Sequence, residues 1–335
     1  MKVLLIKLSA FGDLIHCLPA LNDVLARDDV SEVHWLVDTR FSFVTEVFPK
    51  EVQIHVVDLK GAHPVRAAWQ MMQVLRRERF DVVLDLQTLI KSSLFGLATG
   101  AKVYGFDARE VREKPASWLQ HSTQFHDDEQ HVVQKYRHVA AAPWQTEHPE
   151  PLAYAPPTIH QTYPPLHDET LIKMPYVVLS LGGSWATKEL PNATWQAIVA
   201  GIHAQGLQPV CCWGSQDEHL KAQTIAAEVP LTILPQRLGM QDLCALLSAS
   251  QALIATDTGV LHLAAALGVP TASFWGASAS WRSGPLGAGH HHIESKPACG
   301  PCFKRQCANF VCMDMVRADD ILLALRAIVE GESLE

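Results

Sequence analysis

One local pattern recurs along this chain and restricts its folds: a continuous apolar run breaks at a turn and resumes as an amphipathic helix. The runs "VLLIKL", "VHWLV", "DVVLDLQ", "YVVLSLG", "QPVCCWG" and "ALIATDTG" are short and rich in Val, Ile and Leu. They do not alternate polar with apolar, as strands buried on both faces would not. Helix-length amphipathic stretches lie between them at 65–79, 192–205 and 240–249. Strands alternating with helices predict parallel sheets covered on both faces, an α/β class.

At 335 residues and 48% apolar content the chain can bury a large core, and its length favours two domains. The segment 143–165, "PWQTEHPEPLAYAPPTIHQTYPP", holds seven prolines in 23 residues, more than a helix or strand interior tolerates. It reads as a linker closing an N-terminal domain over 1–165 and leading into a C-terminal domain over 166–335. In open parallel sheets ligands bind at the carboxyl ends of strands, so the expected site is a central cleft faced by both sheets.

Net charge is −8 with 17 His counted neutral, and no run of Lys or Arg exceeds two residues. That pattern excludes a broad phosphate-contacting surface, so nucleic acid is not an expected partner. The N-terminal apolar run has strand length and lacks a small-residue cleavage site, and no stretch approaches the roughly 18 apolar residues of a membrane span. A soluble cytoplasmic protein is expected. Eight Cys in so long a chain do not make a disulfide scaffold, and Cys17, Cys211, Cys212 and Cys244 stand in apolar surroundings as small hydrophobes.

Residues that follow strands are the candidates for chemistry. In "ALIATDTGVLHLAAALGVP" a strand ends at Asp257-Thr258-Gly259 and a helix opens at Val260. Gly259 admits a ligand to the backbone, and the helix's unpaired N–H groups favour a diphosphate; an ordinary Asp or Thr cap is the alternative. In "LSLGGSWATKELPNATW" the turn Gly182-Gly183-Ser184 precedes Lys188, a cation able to neutralise departing charge. "VCCWGSQDEH" places Asp217 and Glu218 where a carboxylate binds ribose hydroxyls, or where acids simply suit a helix dipole. "KLSAFGDLIHCLPAL" sets Gly12-Asp13 at the first turn, where Asp13 is a helix cap or a general base. "DLQTLIKSSLFG" offers Gln87, Lys91, Ser92 and Ser93, and the polar stretch downstream offers Arg109, Arg112, Lys114, His126 and His131, either as anion contacts or as a solvated surface.

Taken in order, "KLSAFGDLIHCLPAL", "DLQTLIKS", "GSWATKELP" and "DTGVLHLAAALGVP" resemble the glycosyltransferase family 9 heptosyltransferases of lipopolysaccharide inner-core synthesis. "LQTLIKS" and "AREVREKPASWL" draw the likeness toward the heptosyltransferase I branch, and the motif order holds from residue 1 to about 330. The resemblance implies a GT-B fold: two Rossmann-like domains, acceptor on the N-terminal side, ADP-heptose on the C-terminal side, and a last helix over about 316–330 packing back on the N-terminal domain. It implies inverting transfer of L-glycero-D-manno-heptose to the Kdo region of Kdo-lipid A with no required metal or cofactor. By motif matching Asp13 falls on the general base and Lys188 and Ser184 on diphosphate contacts. Glu218 falls on the ribose contact, Leu238 near the adenine, and Asp257, Thr258, Gly259 and His262 on the phosphate turn. Ser9, Gly12, Gln87, Lys91, Arg109 and Arg112 are the acceptor-side candidates. A lipid acceptor implies peripheral, transient contact with the cytoplasmic face of the inner membrane. "KELP" replaces the family's Lys-x-Trp-Pro, which implies a reshaped wall beside Lys188. A heptosyltransferase II-like enzyme with another acceptor, or a sugar-nucleotide epimerase of the same fold, remains an alternative.

"CGPCFKRQCANFVCM" spaces Cys299, Cys302, Cys307 and Cys312 as C-x₂-C-x₄-C-x₄-C, close enough to enclose a structural zinc or iron. The alternative is a set of reduced thiols. The preceding His290-His291-His292 reads as a polar loop, because adjacent residues of a strand cannot all face one ion.

Overall fold

The computed structural model describes residues 1–123, 131–144, 155–164, 166, 171–172, 175–183 and 185–331, and the chain divides into two units, Met1–Pro157 and Thr158–Glu335. In the first, the strands are β1 (Lys2–Ile6), β2 (Glu32–Asp38), β3 (Val52–Val57), β4 (Val82–Asp85), β5 (Lys102–Phe106) and β6 (His121–Thr123). They form one parallel sheet ordered β3-β2-β1-β4-β5-β6. The helices are α1 (Phe11–His16), α2 (Leu18–Leu25), α3 (Pro64–Arg77), α4 (Ile90–Thr99) and α5 (Val132–Ala141).

The second unit repeats this plan. Strands β7 (Tyr176–Ser180), β8 (Gln208–Cys212), β9 (Thr232–Ile233), β10 (Ala252–Thr256), β11 (Thr271–Trp275) and β12 (His290–Glu294) form a parallel sheet ordered β12-β11-β10-β7-β8-β9. Helices α6 (Asn192–Ala204), α7 (Gln216–Ala226), α8 (Met240–Ser248), α9 (Gly259–Ala266), α10 (Ser280–Ser283) and α11 (Ala318–Glu330) complete it. Both orders are the doubly wound dinucleotide-fold order, whose direction of winding reverses between β1 and β4 in one unit and between β7 and β10 in the other.

The cores follow from the apolar strands. Leu4, Ile6, Val83 and Phe95 are buried together in the first unit, with Ala68, Met71, Met72 and Leu75 of α3 packed on them. In the second unit Val177, Leu179, Ile254 and Phe274 are buried against Trp195 and Ile198 of α6. Trp195 meets Phe274 edge-on at 5.7 Å between centroids. None of the helices among the described residues is long and apolar enough to cross a membrane.

The structure adds detail to the sequence reading. The division falls at 157/158, ahead of the expected 165/166, because Ile159 is buried and its N–H donates to Ala266 O at 2.8 Å. Residues 145–154 and 165 of the proline-rich segment lie outside the described residues. The last helix seats Ile321, Ala324 and Leu325 in the core of the second unit, where it packs on α6, β10 and β11. "HHHIE" is the parallel edge strand β12 rather than a loop: His290 Nδ1 lies 3.0 Å from Thr271 Oγ1 and His292 Nδ1 lies 2.8 Å from Ser273 Oγ.

A buried carboxylate supports the turn after β4. Asp85 accepts from the Gln87 N–H at 3.0 Å and from the Ser92 and Ser93 hydroxyls at 2.9 and 2.8 Å. These two serines, read as acceptor contacts, are fully buried and serve this network instead. Burial pushes the Asp85 carboxyl up to about 6, the hydrogen bonds offsetting only part of that rise. Because the folded value lies above the unfolded one, this group stabilises the fold fully below about pH 4 and loses that contribution as pH rises through about 6. Asp85→Asn is therefore expected to stabilise the protein by roughly 2 kcal/mol at pH 8 and by little at pH 4, read from urea unfolding at the two pH values.

Candidate functional site

The candidate residues gather at the carboxyl ends of the strands, in one cluster within each unit, and each cluster sits on a switch point.

In the first unit the chain leaves β1 through Lys7, Leu8 and Ser9 and enters α1. Ala10 is the N-cap and Asp13 the third helical residue, so Asp13 is not itself the cap; its Oδ2 accepts from the Ala10 N–H at 3.3 Å. The second carboxylate oxygen accepts from the Tyr136 hydroxyl at 3.2 Å. Lys7, buried at the end of an otherwise apolar strand, donates to Leu86 O at 2.9 Å and to Tyr136 Oη at 2.8 Å, and its ammonium lies 3.8 Å from Asp13 Oδ2. Asp13 keeps 42% of its side chain exposed, so an oriented carboxylate faces solvent above a buried cation. Sequence reading passed over Lys7 and Tyr136. A lone Lys inside "VLLIKL" was the available signal for the first, while nothing local marked the second.

The acceptor-side candidates separate by role. Gln87 Oε1 accepts from the Leu8 and Ser9 N–H groups at 2.7 and 3.0 Å, so its amide joins the two switch-point loops rather than standing open. Gly12 lies in the first turn of α1, beside Asp13. Lys91 is exposed at the start of α4. Arg109 pairs with Asp107 at 2.9 Å, and Arg112 is exposed on the same loop, which is tied to the turn after β4 by Glu113 N–H to Thr88 O at 3.4 Å. His131 is buried and caps α5, accepting from the Val133 N–H. His126 and Ser184 lie outside the described residues.

In the second unit a buried pair occupies the switch point. Lys188, 4% exposed, places its ammonium 2.5 Å from Asp257 Oδ2 and 3.1 Å from Asp257 O. His262 Nε2 lies 3.1 Å from the other carboxylate oxygen. Burial pushes the Asp257 carboxyl up, but the His262 hydrogen bond and the Lys188 charge outweigh it and hold the group well below the usual carboxylate range. Thr258 caps α9, its hydroxyl accepting from the Leu261 N–H, and Gly259 opens that helix beside the pair. This is a cation next to a helix N-terminus, an arrangement suited to a diphosphate.

The flanking loops add shape. Glu218 Oε2 accepts from the Gly214 N–H at 2.6 Å. Gly182 is bare because a Cβ there would lie 2.5 Å from Glu218 Cγ. Trp213, at the end of β8, stacks on His219 at 4.4 Å and donates to Leu234 O. Leu238 is half-buried on the loop between β9 and α8. The Trp185 ring lies 4.4 Å from the Lys188 ammonium and 5.4 Å from the Arg305 guanidinium, and Thr187 Oγ1 donates to Lys304 O at 2.7 Å.

The cysteine segment is thus fastened by hydrogen bonds and packing, and its expected metal site is not formed. Among the described residues no three His, Cys, Asp or Glu side chains are grouped as ligands. Cys299 and Cys307 are exposed, and all four thiols are free. Phe303 N–H donates to Ala277 O at 2.7 Å, and Cys312 Sγ packs where a Cβ on Gly276 would stand 3.1 Å away.

Comparison with known proteins identifies the family and agrees with the fold. Residues 68–311 match the model of glycosyltransferase family 9 (heptosyltransferase). Lipopolysaccharide heptosyltransferase 1 of Pseudomonas aeruginosa is 30% identical over 92% of this chain and 87% of its own length. The structure of E. coli heptosyltransferase WaaC with ADP superposes with a TM-score of 0.75 at 21% identity, covering 98% of this chain and 100% of that one. E. coli ADP-heptose lipopolysaccharide heptosyltransferase II gives 0.77 at 17% identity, covering 99% of each.

Because the Asp257 carboxyl is depressed in the folded protein, the pair stabilises the fold above the unfolded Asp value near pH 4 and loses that contribution only in stronger acid. Lys188→Met removes the partner and leaves a buried carboxylate with His262 alone. The expected result is a loss of about 3 kcal/mol at pH 7 and acid unfolding that begins at a higher pH, measured by circular dichroism.

Proposed function

The chain belongs to glycosyltransferase family 9, and we propose that it transfers L-glycero-D-manno-heptose from ADP-heptose to a Kdo hydroxyl of Kdo-lipid A, with inversion, in lipopolysaccharide core synthesis. The observation that carries the reading is the Lys188–Asp257–His262 cluster beside the N-terminus of α9. A nucleotide diphosphate bound there meets a buried ammonium and a row of unpaired N–H groups, which stabilise the charge of ADP as it leaves. Asp257 orients Lys188, and Thr258, Gly259, Ser184 and His262 complete the phosphate seat. Glu218 takes the ribose hydroxyls and Leu238 borders the adenine. The residues of this seat supply the charge compensation through which the step proceeds.

Asp13 is the base. Its carboxylate accepts the proton of the attacking hydroxyl while the new C–O bond forms at the anomeric carbon, opposite to the C–O bond that breaks toward ADP. The Tyr136 hydroxyl and the Ala10 N–H hold that carboxylate in one orientation, and the buried Lys7 ammonium stands 3.8 Å below it. Ser9, Gly12, Lys91, Arg109 and Arg112 offer polar and cationic contacts to an anionic acceptor, with Gln87 holding their loops. The enzyme works in the cytoplasm and meets its lipid-linked acceptor by peripheral, transient contact with the inner membrane.

Asp13→Asn is expected to lower kcat by about 10²–10⁴ with donor binding retained. Lys188→Ala is expected to lower it by about 10²–10³. Both are read as ADP release and product mass with ADP-heptose and Kdo-lipid A. Wild-type turnover by Asp13→Asn would remove the base assignment.

A further inference from the structure

Helices α3 and α4 pack against each other, and α4 also packs against the 3₁₀ turn Lys114–Leu119 that follows β5. The inward face of α3 is committed to the core through Ala68, Met71, Met72 and Leu75. Its outward face carries Val65 and Trp69, one helical turn apart and 82% and 61% exposed. Leu94 and Leu97 are exposed on α4, and Trp118 on the 3₁₀ turn is 79% exposed. Large apolar side chains this open to water, on three neighbouring elements, are not explained by packing within the unit.

The charge carried by these two helices has one sign. α3 carries Arg66, Arg76 and Arg77, α4 carries Lys91, and neither helix contains an Asp or Glu. This happens in a chain of net charge −8. None of the three arginines forms an ion pair among the described residues. The nearest acid on the 3₁₀ side, Glu113, accepts from the Ile90 N–H at 2.8 Å and so closes the first turn of α4. On the helical projection Arg76 and Trp69 fall in one stripe with Val65, and Arg66 and Arg77 lie together along one side of it. Both helices start from the carboxyl edge of the first sheet, the edge that also carries Asp13.

We propose that this face, from Val65 and Trp69 on α3 across Leu94 on α4 to Trp118, is a docking surface for a bilayer with anionic headgroups. Tryptophan favours the boundary between headgroup and acyl chain, where its ring is apolar and its N–H stays wet. Arginine on the same face gains from the negative surface potential, and no carboxylate within either helix opposes it. The proposal rests on the lipid-linked acceptor of the reading above for its purpose. Docked through α3 and α4, the first unit meets an acceptor at the bilayer surface without drawing it into solution.

The test uses the full chain in co-sedimentation with vesicles of phosphatidylcholine alone and of phosphatidylcholine with phosphatidylglycerol. Wild type is expected to bind the anionic vesicles at least tenfold more tightly than the neutral ones, and to release as salt rises. Trp69→Ala with Trp118→Ala should weaken binding at least tenfold, and Arg66→Glu with Arg76→Glu and Arg77→Glu should abolish it. Both variants should transfer heptose to an acyl-free Kdo oligosaccharide within twofold of wild type, which also certifies their fold, and lose at least tenfold on acceptor embedded in vesicles. Equal binding to both vesicle types, or anionic binding unchanged in both variants, overturns the proposal. So does a dimer that the tryptophan substitutions convert to monomer with vesicle binding intact, which assigns the face to self-association. Vesicle binding is read without turnover, so a protein that docks as expected but transfers no heptose supports the docking surface and overturns the functional reading alone.

Discussion

A parallel strand at the point where a doubly wound sheet reverses has no neighbouring crossover above its carboxyl end, and the chain leaving it turns away from the chain leaving the next strand. The space so opened is lined by backbone N–H groups at the starts of helices, and a side chain entering it is held by two loops at once. In this protein both openings are filled in the same way, by a buried lysine with an aspartate. Lys7 reaches from the end of β1 to Leu86 O, on the turn after β4, and Lys188 reaches from the turn after β7 to Asp257, after β10. Each lysine joins the two strands of the switch point, so the loops that carry the chemistry are fixed by the sheet order itself.

The two pairs differ in a way that separates their roles. Lys188 and Asp257 are in contact at 2.5 Å, and the Asp257 side chain is 14% exposed. A carboxylate so paired and so far depressed does not take a proton near neutral pH; it orients a cation. Lys7 and Asp13 stand 3.8 Å apart and the Asp13 side chain is 42% exposed. That carboxylate is steered by Tyr136 and Ala10 without direct contact with the cation, the geometry that the proposed role of Asp13 as base requires.

Half of the strands were legible as apolar runs, and they are the ones nearest the centre of each sheet: β1, β2 and β4 in the first, and β7, β8 and β10 in the second. Strands β3, β5, β6, β9, β11 and β12 escaped for physical reasons. β3 is half-exposed and mixes polar with apolar residues, β9 has two residues, and β12 is three histidines long before its first aliphatic. β11 is fully buried yet reads "TASFW", because its hydroxyls are met by the histidines of β12 and need no apolar neighbour. At the sites, glycine turns and the residues just after strands were readable because the fold confines function there. Tyr136 was not, since it arrives from a helix more than 120 residues away. Ser92 and Ser93 were read as open because nothing local shows that the buried acid at the end of β4, Asp85, seven and eight residues upstream, claims their hydroxyls.

The departure at "KELP" shows how a local change is absorbed. The family's tryptophan position is held by Leu190, which is 2% exposed and belongs to the apolar core with Trp195 and Ile198. An aromatic face beside the lysine is nevertheless present, because Trp185 places its ring 4.4 Å from the Lys188 ammonium. The other cation near that ring is Arg305, from the cysteine segment, whose neighbour Lys304 accepts a hydrogen bond from Thr187. The aromatic wall has therefore moved to the amino-terminal side of the lysine. A cation against a π face keeps its orientation at little cost in solvation, so Lys188 remains aimed at Asp257 and the start of α9 although the residue two places after it is aliphatic.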